Sequence, residues 1–213
     1  WAILKRAPIP YHIAVRWVAG TICVNEALTN WALLTLRMRC DRVWYIPNFA
    51  VPSRDGDEKS ELPGTRGARI VQVANLRPQK DHLTAIRAMA IVASSLPEAC
   101  LLLVGATSDR DYRALIDRSI RDLRLEGNVA VLGPRADVGA VLRHCDVGVL
   151  SSATEGLPLA LIEYGLTGLA VVATAVGQCP EVLEYGQAGR LIPPGDPEAM
   201  AAALIDLLQS PEK

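Results

Sequence analysis

Two acids, Glu155 and Glu163, stand with seven residues between them in the stretch Thr154-Glu155-Gly156-Leu157-Pro158-Leu159-Ala160-Leu161-Ile162-Glu163. An apolar run of this kind normally excludes carboxylates, because burying one without partners costs on the order of several kcal/mol. Gly-Leu-Pro directly after the first acid reads as a strand-to-helix loop. Pro158 suits the first helical turn, where its missing N–H is not needed. Glu163 then falls about two turns into the helix, roughly 10–12 Å along the axis from Glu155. Between the acids lies a helix N-terminus, whose free N–H groups form a seat for phosphate. Acid, phosphate seat and acid together match a ligand built of sugar, diphosphate and ribose.

Two cations extend this pattern. Arg77 and Lys80 lie in Asn75-Leu76-Arg77-Pro78-Gln79-Lys80, between an apolar strand-like run and a helical one. Alone they read as ordinary surface charge. Beside acids on a neighbouring loop they become candidates for neutralising a diphosphate, Arg as a fork and Lys as a point charge. Glu155 would meet sugar hydroxyls or the anomeric carbon, or serve only as a carboxylate at a helix start. Glu163 would take the ribose hydroxyls; the bland alternative is an exposed helix position, against which stand Leu159, Leu161, Ile162 and Leu166 around it. Gly105 ends a strand, where a glycine permits a tight turn or close ligand approach.

The elements that position these residues follow from hydrophobic rhythm. Apolar strand runs occur at 69–74, 100–104, 128–132, 146–150, 169–173 and, more briefly, 190–192. Helical patterns fall between them, at 81–95, 109–125, 136–144, 158–167, 181–185 and 197–208. Strands alternating with helices predict a Rossmann-like, doubly wound parallel α/β sheet. Ligands bind such sheets at the carboxyl ends of the strands. The loops at 75–80, 105–107 and 151–156 should therefore open on one edge.

Before this sheet, residues 1–46 hold a short strand at 21–24, a helix from Glu26 to Leu34 and another strand at 43–46; residues 47–68 read as linker, and 69–213 as the Rossmann-like domain. The chain opens on Trp1 in what reads as mid-helix sequence, which suggests a fragment or processed product. A net charge of −1 with scattered basic residues leaves no electrostatic footprint for nucleic acid. Five cysteines without a C-x-x-C pair read as buried thiols, and three distant histidines argue against zinc. No apolar run is long enough to span a bilayer.

These motifs resemble the retaining glycosyltransferases of family 4, with the GT-B fold. The resemblance rests on the E-x7-E pair Glu155 and Glu163, on Ile46-Pro47-Asn48 leading into the second domain, and on the closing segments Gly168–Thr174 and Gly189–Asp196. It implies a nucleotide-sugar donor, UDP- or GDP-linked, with no further cofactor and no metal. By position, Lys80 would bind the diphosphate with N–H groups of Gly156 and Leu157 beside Pro158; Glu155 would contact the transferred sugar and Glu163 the ribose. Asn75, Arg77 and Gly105 complete the expected donor-binding set, with Glu155 as the catalytic member. Where the family has Gly-Arg-Leu before its lysine, this chain has Ala74-Asn75-Leu76, so that either Arg77 substitutes for the missing cation or the diphosphate is held more weakly.

The implied activity is retaining transfer of a hexose to a saccharide or lipid-linked acceptor in bacterial-type polysaccharide biosynthesis. The resemblance places it in the cytoplasm, with peripheral contact at the inner membrane face. Residues 1–46 would be the tail of an acceptor domain, and the second domain would stop short of its returning helix. Two other readings stand beside it: a non-catalytic nucleotide-sugar-binding module, and a sugar-nucleotide epimerase, which would need a partner histidine that is not evident.

Overall fold

Strand β3 (Arg69–Val73) begins the main sheet, and its residues alternate between two apolar environments. In the computed structural model, which describes residues 15–51 and 61–210, the chain divides into two compact units, Trp1–Phe49 and Ala50–Lys213. The helix expected at the chain's start and residues 52–60 of the 47–68 linker lie outside the described residues.

In the first unit, β1 (Thr21–Cys23) pairs in parallel with β2 (Val43–Tyr45). Helix α1 (Glu26–Asn30) starts where the Asn25 side chain accepts the Leu28 N–H at 2.7 Å. The expected continuous helix to Leu34 instead widens into a π-helical turn at Trp31–Thr35.

Among its described residues the second unit holds six parallel strands in the order β5-β4-β3-β6-β7-β8. After β3 come α2 (His82–Ser95), β4 (Cys100–Val104), α3 (Arg110–Asp122) and β5 (Val129–Gly133). Then follow α4 (Val138–Arg143), β6 (Val147–Leu150), α5 (Leu159–Thr167), β7 (Ala170–Thr174), α6 (Cys179–Val182), β8 (Arg190–Ile192) and α7 (Pro197–Gln209). The two-residue period of a strand sends Ile70, Leu101, Leu103, Val147 and Val149 to one face, where they pack with α2, α3 and α7. Val71, Leu102, Val104, Leu150 and Val171 go to the other, against α4, α5 and α6. The sheet is therefore covered on both sides, as its near-continuous Val and Leu runs require.

The order reverses between β3 and β6, the topological switch point of the sheet. There the two strands part early. Their register covers only Ile70↔Val147 and Val71↔Gly148, whereas β3 and β4 match over five residues. Tyr164 of α5 enters the gap, its hydroxyl accepting the Val73 N–H at 2.8 Å. Gly148 makes room for it: a Cβ there would lie 2.5 Å from the Tyr164 ring.

The α6 region differs from expectation. The helix starts at Cys179, two residues before Glu181, and Tyr185 takes φ 53° in a separate 3-10 turn. Among the cysteines Cys23, Cys100, Cys145 and Cys179 are buried, but Cys40 is exposed.

Candidate functional site

The loops leaving β3 and β6 meet at the switch point because their strands are neighbours. After β3, Arg77 precedes a 3-10 turn at Pro78–Lys80, and Asp81 follows in the left-handed region with φ 42°. The Asp81 side chain then caps α2, accepting from Thr84. After β6, Ser151 and Ser152 are buried, and Glu155 stands between them and α5. The two loops join through the Ala153 N–H, which donates to the Gln79 carbonyl at 2.9 Å.

Lys80 and Glu155 form an ion pair across this junction, Nζ to Oε1 at 2.6 Å. The Glu155 side chain is only 8% exposed and the Lys80 side chain 25%. The same Oε1 accepts the Ser152 hydroxyl at 2.6 Å. Thr174, at the end of β7, donates to the Ser152 carbonyl at 2.7 Å and so ties the loop down from the next strand. A nearly buried carboxylate thus carries one compensating charge and one hydroxyl, which is what its burial demands.

The remaining walls are built by close backbone approach. A Cβ on Gly105 would stand 2.1 Å from the Ala74 carbonyl oxygen, so the β4 exit lies against the β3 exit only because residue 105 has no side chain. Asn75, exposed, accepts the Ala106 N–H at 3.1 Å and holds the same two loops together. Gly177 plays the equivalent part beside Glu155: its φ is +55°, and a Cβ would meet the Glu155 carbonyl oxygen at 2.3 Å. Gln178 donates its N–H to Gly156 O at 3.0 Å.

Helix α5 begins at Leu159, with Pro158 outside it as the extended cap residue and no side chain capping the end. Pro158 is therefore not in the first turn, as its sequence suggests. Glu163 becomes the fifth helical residue, about 6 Å up the axis and little more than one turn in, not two. Its carboxylate is half-buried, and burial raises its pKa above the ordinary 4.5. It faces a small cavity of about 70 Å³ lined also by Val138, Gly139, Leu142, Leu166 and Thr167.

Lys80 and Glu155 are therefore in direct contact, Asn75 and Gly105 share one loop junction, and Gly156, Leu157 and Pro158 bridge Glu155 to the helix end. Arg77 is exposed at the mouth of its turn, and Glu163 sits apart on the α4 side. Sequence reasoning missed Ser152, Thr174, Gln72, Ser151 and Tyr164. Gln72 carried a signal: it is the polar interruption of the apolar run Ile70-Val71-Gln72-Val73. His82 is fully buried, its pKa lowered to about 4 by burial, and no group of metal-ligating side chains assembles among the described residues.

The six-stranded parallel sheet matches the Rossmann-like sheet of solved GT-B glycosyltransferase structures. Residues 67–210 match the family model described as glycosyl transferases group 1. The chain belongs to that family. It is 31% identical over 143 residues to N-acetyl-alpha-D-glucosaminyl L-malate synthase of Bacillus anthracis, covering 67% of this chain and 36% of that protein. It is 26% identical over 205 residues to the Escherichia coli UDP-Gal:alpha-D-GlcNAc-diphosphoundecaprenol alpha-1,3-galactosyltransferase, covering 90% and 52%. Among solved structures it resembles Anabaena Alr3699/HepE in complex with UDP, with a TM-score of 0.78, 25% identity, and coverage of 94% of this chain and 57% of that one. The chain thus spans about a third to a half of the length of these curated relatives.

Proposed function

We propose that this chain carries the donor site of a retaining glycosyltransferase of family 4, which moves a hexose from a UDP- or GDP-sugar to a saccharide or lipid-linked acceptor. The observation that carries the reading is the Lys80–Glu155 pair, set on adjacent loops at the switch point beside the uncapped α5 N-terminus. The family membership and the UDP bound by a structural neighbour support it.

In this scheme the diphosphate sits on the α5 N-terminus, where backbone N–H groups and the helix dipole favour negative charge. Lys80 exchanges its bond to Glu155 for one to a phosphate oxygen, and Arg77 adds charge from the mouth. No metal ion is used. Glu155, released from Lys80 but still held by Ser152, accepts hydroxyls of the sugar. Glu163 takes the ribose hydroxyls. The acceptor oxygen attacks the anomeric carbon on the face the nucleotide leaves; the bond from that carbon to the phosphate oxygen breaks, and the acceptor proton passes to the departing phosphate. The two acids are thus not an acid and base pair astride the bond, as in glycosidases.

The test is a thermal-shift series with UDP, GDP, ADP and their hexose conjugates. One nucleoside diphosphate is expected to raise the melting temperature by several degrees, as a ligand that binds only the folded state must. No shift at saturation with any of them would remove the donor site. Binding without transfer or donor hydrolysis, in the presence of a complete acceptor domain, selects the non-catalytic module instead.

A further inference from the structure

We propose that Gln72 and Ser151 are positioning residues that hold Lys80 for the donor diphosphate, an assignment that rests on the donor-site reading above. Gln72 is 1% exposed, on a strand otherwise apolar in its interior, at the point where β3 and β6 part. Its Nε2 donates to the Lys80 carbonyl at 3.1 Å and to Ser151 Oγ at 2.9 Å. Ser151 donates its own hydroxyl to the same carbonyl at 2.9 Å. A carbonyl only accepts, so this triangle dictates which way round the Gln72 amide lies.

The other end of that amide is informative. Gln72 Oε1 is buried and has no hydrogen-bond partner among the described residues. An orphaned acceptor inside a sheet weakens the fold, and an apolar side chain of the same length would serve packing better. The amide is therefore accounted for by what its nitrogen does, which is to grip Lys80.

That grip falls on a peptide under strain. The Lys80 carbonyl belongs to the peptide unit leading into Asp81, whose φ of 42° is unusual for a residue with a side chain. Such a conformation persists only where its surroundings hold it. Gln72 and Ser151 hold it on one side, and the Asp81 cap on Thr84 holds it on the other. The consequence lies at the far end of the side chain. A lysine is a flexible stem, and fixing its main chain limits where the ammonium can go; here it lies 2.6 Å from Glu155.

The first readout needs no ligand: acylation of Lys80 by an N-hydroxysuccinimide ester, measured by peptide mass spectrometry on the whole chain. Gln72→Met and Ser151→Ala are expected to raise Lys80 labelling several-fold, while Ser151→Thr, which keeps the hydroxyl, stays at the wild-type rate. The second readout compares UDP, GDP and ADP with uridine, guanosine and adenosine. The variants should bind the preferred diphosphate about tenfold more weakly, the worth of one or two hydrogen bonds, with its nucleoside unaffected. Wild-type labelling of Lys80 in both Gln72→Met and Ser151→Ala overturns the proposal, as does equal weakening of diphosphate and nucleoside. Should Gln72→Met fail to fold, the Ser151→Ala and Ser151→Thr pair decides alone. Raised labelling with no nucleotide bound by the wild type keeps the grip on Lys80 and sinks the donor-site reading.

Discussion

The hydroxyl of Tyr164 accepts the backbone N–H of Val73 at 2.8 Å, across the gap where β3 and β6 cease to pair. A helix side chain thereby replaces a ladder bond at the centre of the sheet, one residue from Glu163. Tyr164 is fully buried, so Tyr164→Phe leaves the Val73 N–H without water or partner. A loss of about 1–3 kcal/mol is expected. Urea denaturation should show a lower midpoint with an unchanged slope; a neutral substitution would mean that the gap rearranges to satisfy Val73.

Gly177→Ala should damage function more than folding. The added Cβ meets backbone of the Glu155 loop, which cannot rotate away as a side chain tip would, and the φ of +55° disfavours any L side chain. The expected destabilisation is about 1–3 kcal/mol, while donor affinity, read by the nucleotide-sugar thermal shift, should disappear. Gly186→Ala provides the contrast: its φ is also positive, but nothing lies within 4 Å of the new Cβ, so donor binding should survive.

Lys80 and Glu155 should show strong coupling. Removing either partner leaves the other partly buried and uncompensated, which costs more than removing both. In a double-mutant cycle with Lys80→Met and Glu155→Gln, an interaction energy on the order of 1–3 kcal/mol is expected from denaturation midpoints. Additive effects would show that the pair contributes nothing beyond its separate members. Diphosphate binding should be lost in Lys80→Met and retained, with altered sugar dependence, in Glu155→Gln.

Glu163 gives opposite pH trends for stability and binding. Burial raises its folded pKa above 4.5, so the folded state holds the proton more tightly than the unfolded state. Its contribution to stability is full below the ordinary value and is lost as pH rises through the raised one. Glu163→Gln should therefore gain on wild type in urea midpoints as pH rises across that window. Nucleotide affinity should move the other way, since the ionised form is the better acceptor for ribose hydroxyls; the variant should lose both this rise and any preference for UDP over 2′-deoxy-UDP. A wild-type affinity flat with pH would remove Glu163 from the ribose site.

Local pattern carried the elements, and long-range adjacency carried what it could not. The alternation of apolar runs with helical periods was enough for the doubly wound sheet, and all six strands from Arg69 onward lie within a residue or so of expectation. Glu155 and Glu163 were legible from spacing, yet their surroundings were not. That Glu155 is already paired depends on β3 lying beside β6, and no window of sequence contains both. Pro158 fits the cap as well as the first turn, because its fixed φ and missing N–H suit either place; the choice shifts Glu163 by one helical position, about 1.5 Å along the axis. Cys40 looked like its buried counterparts by type alone, and only the short turn at Cys40–Arg42 exposes it.

The switch point also has a consequence in time. Ile70 and Val147, the residues that join the two halves of the sheet, are 77 positions apart in the chain, whereas β3 meets β4 after 31. Closing the longer loop costs more chain entropy, and contacts of that reach are slow to form. During synthesis, β3, β4 and β5 can assemble before β6 has left the ribosome, so the crevice at the switch point is expected to arise as a late, cooperative event. Pulsed hydrogen exchange during refolding checks this: amides of Leu101–Val104 should gain protection before those of Val147–Leu150, and simultaneous protection would show that both halves condense together.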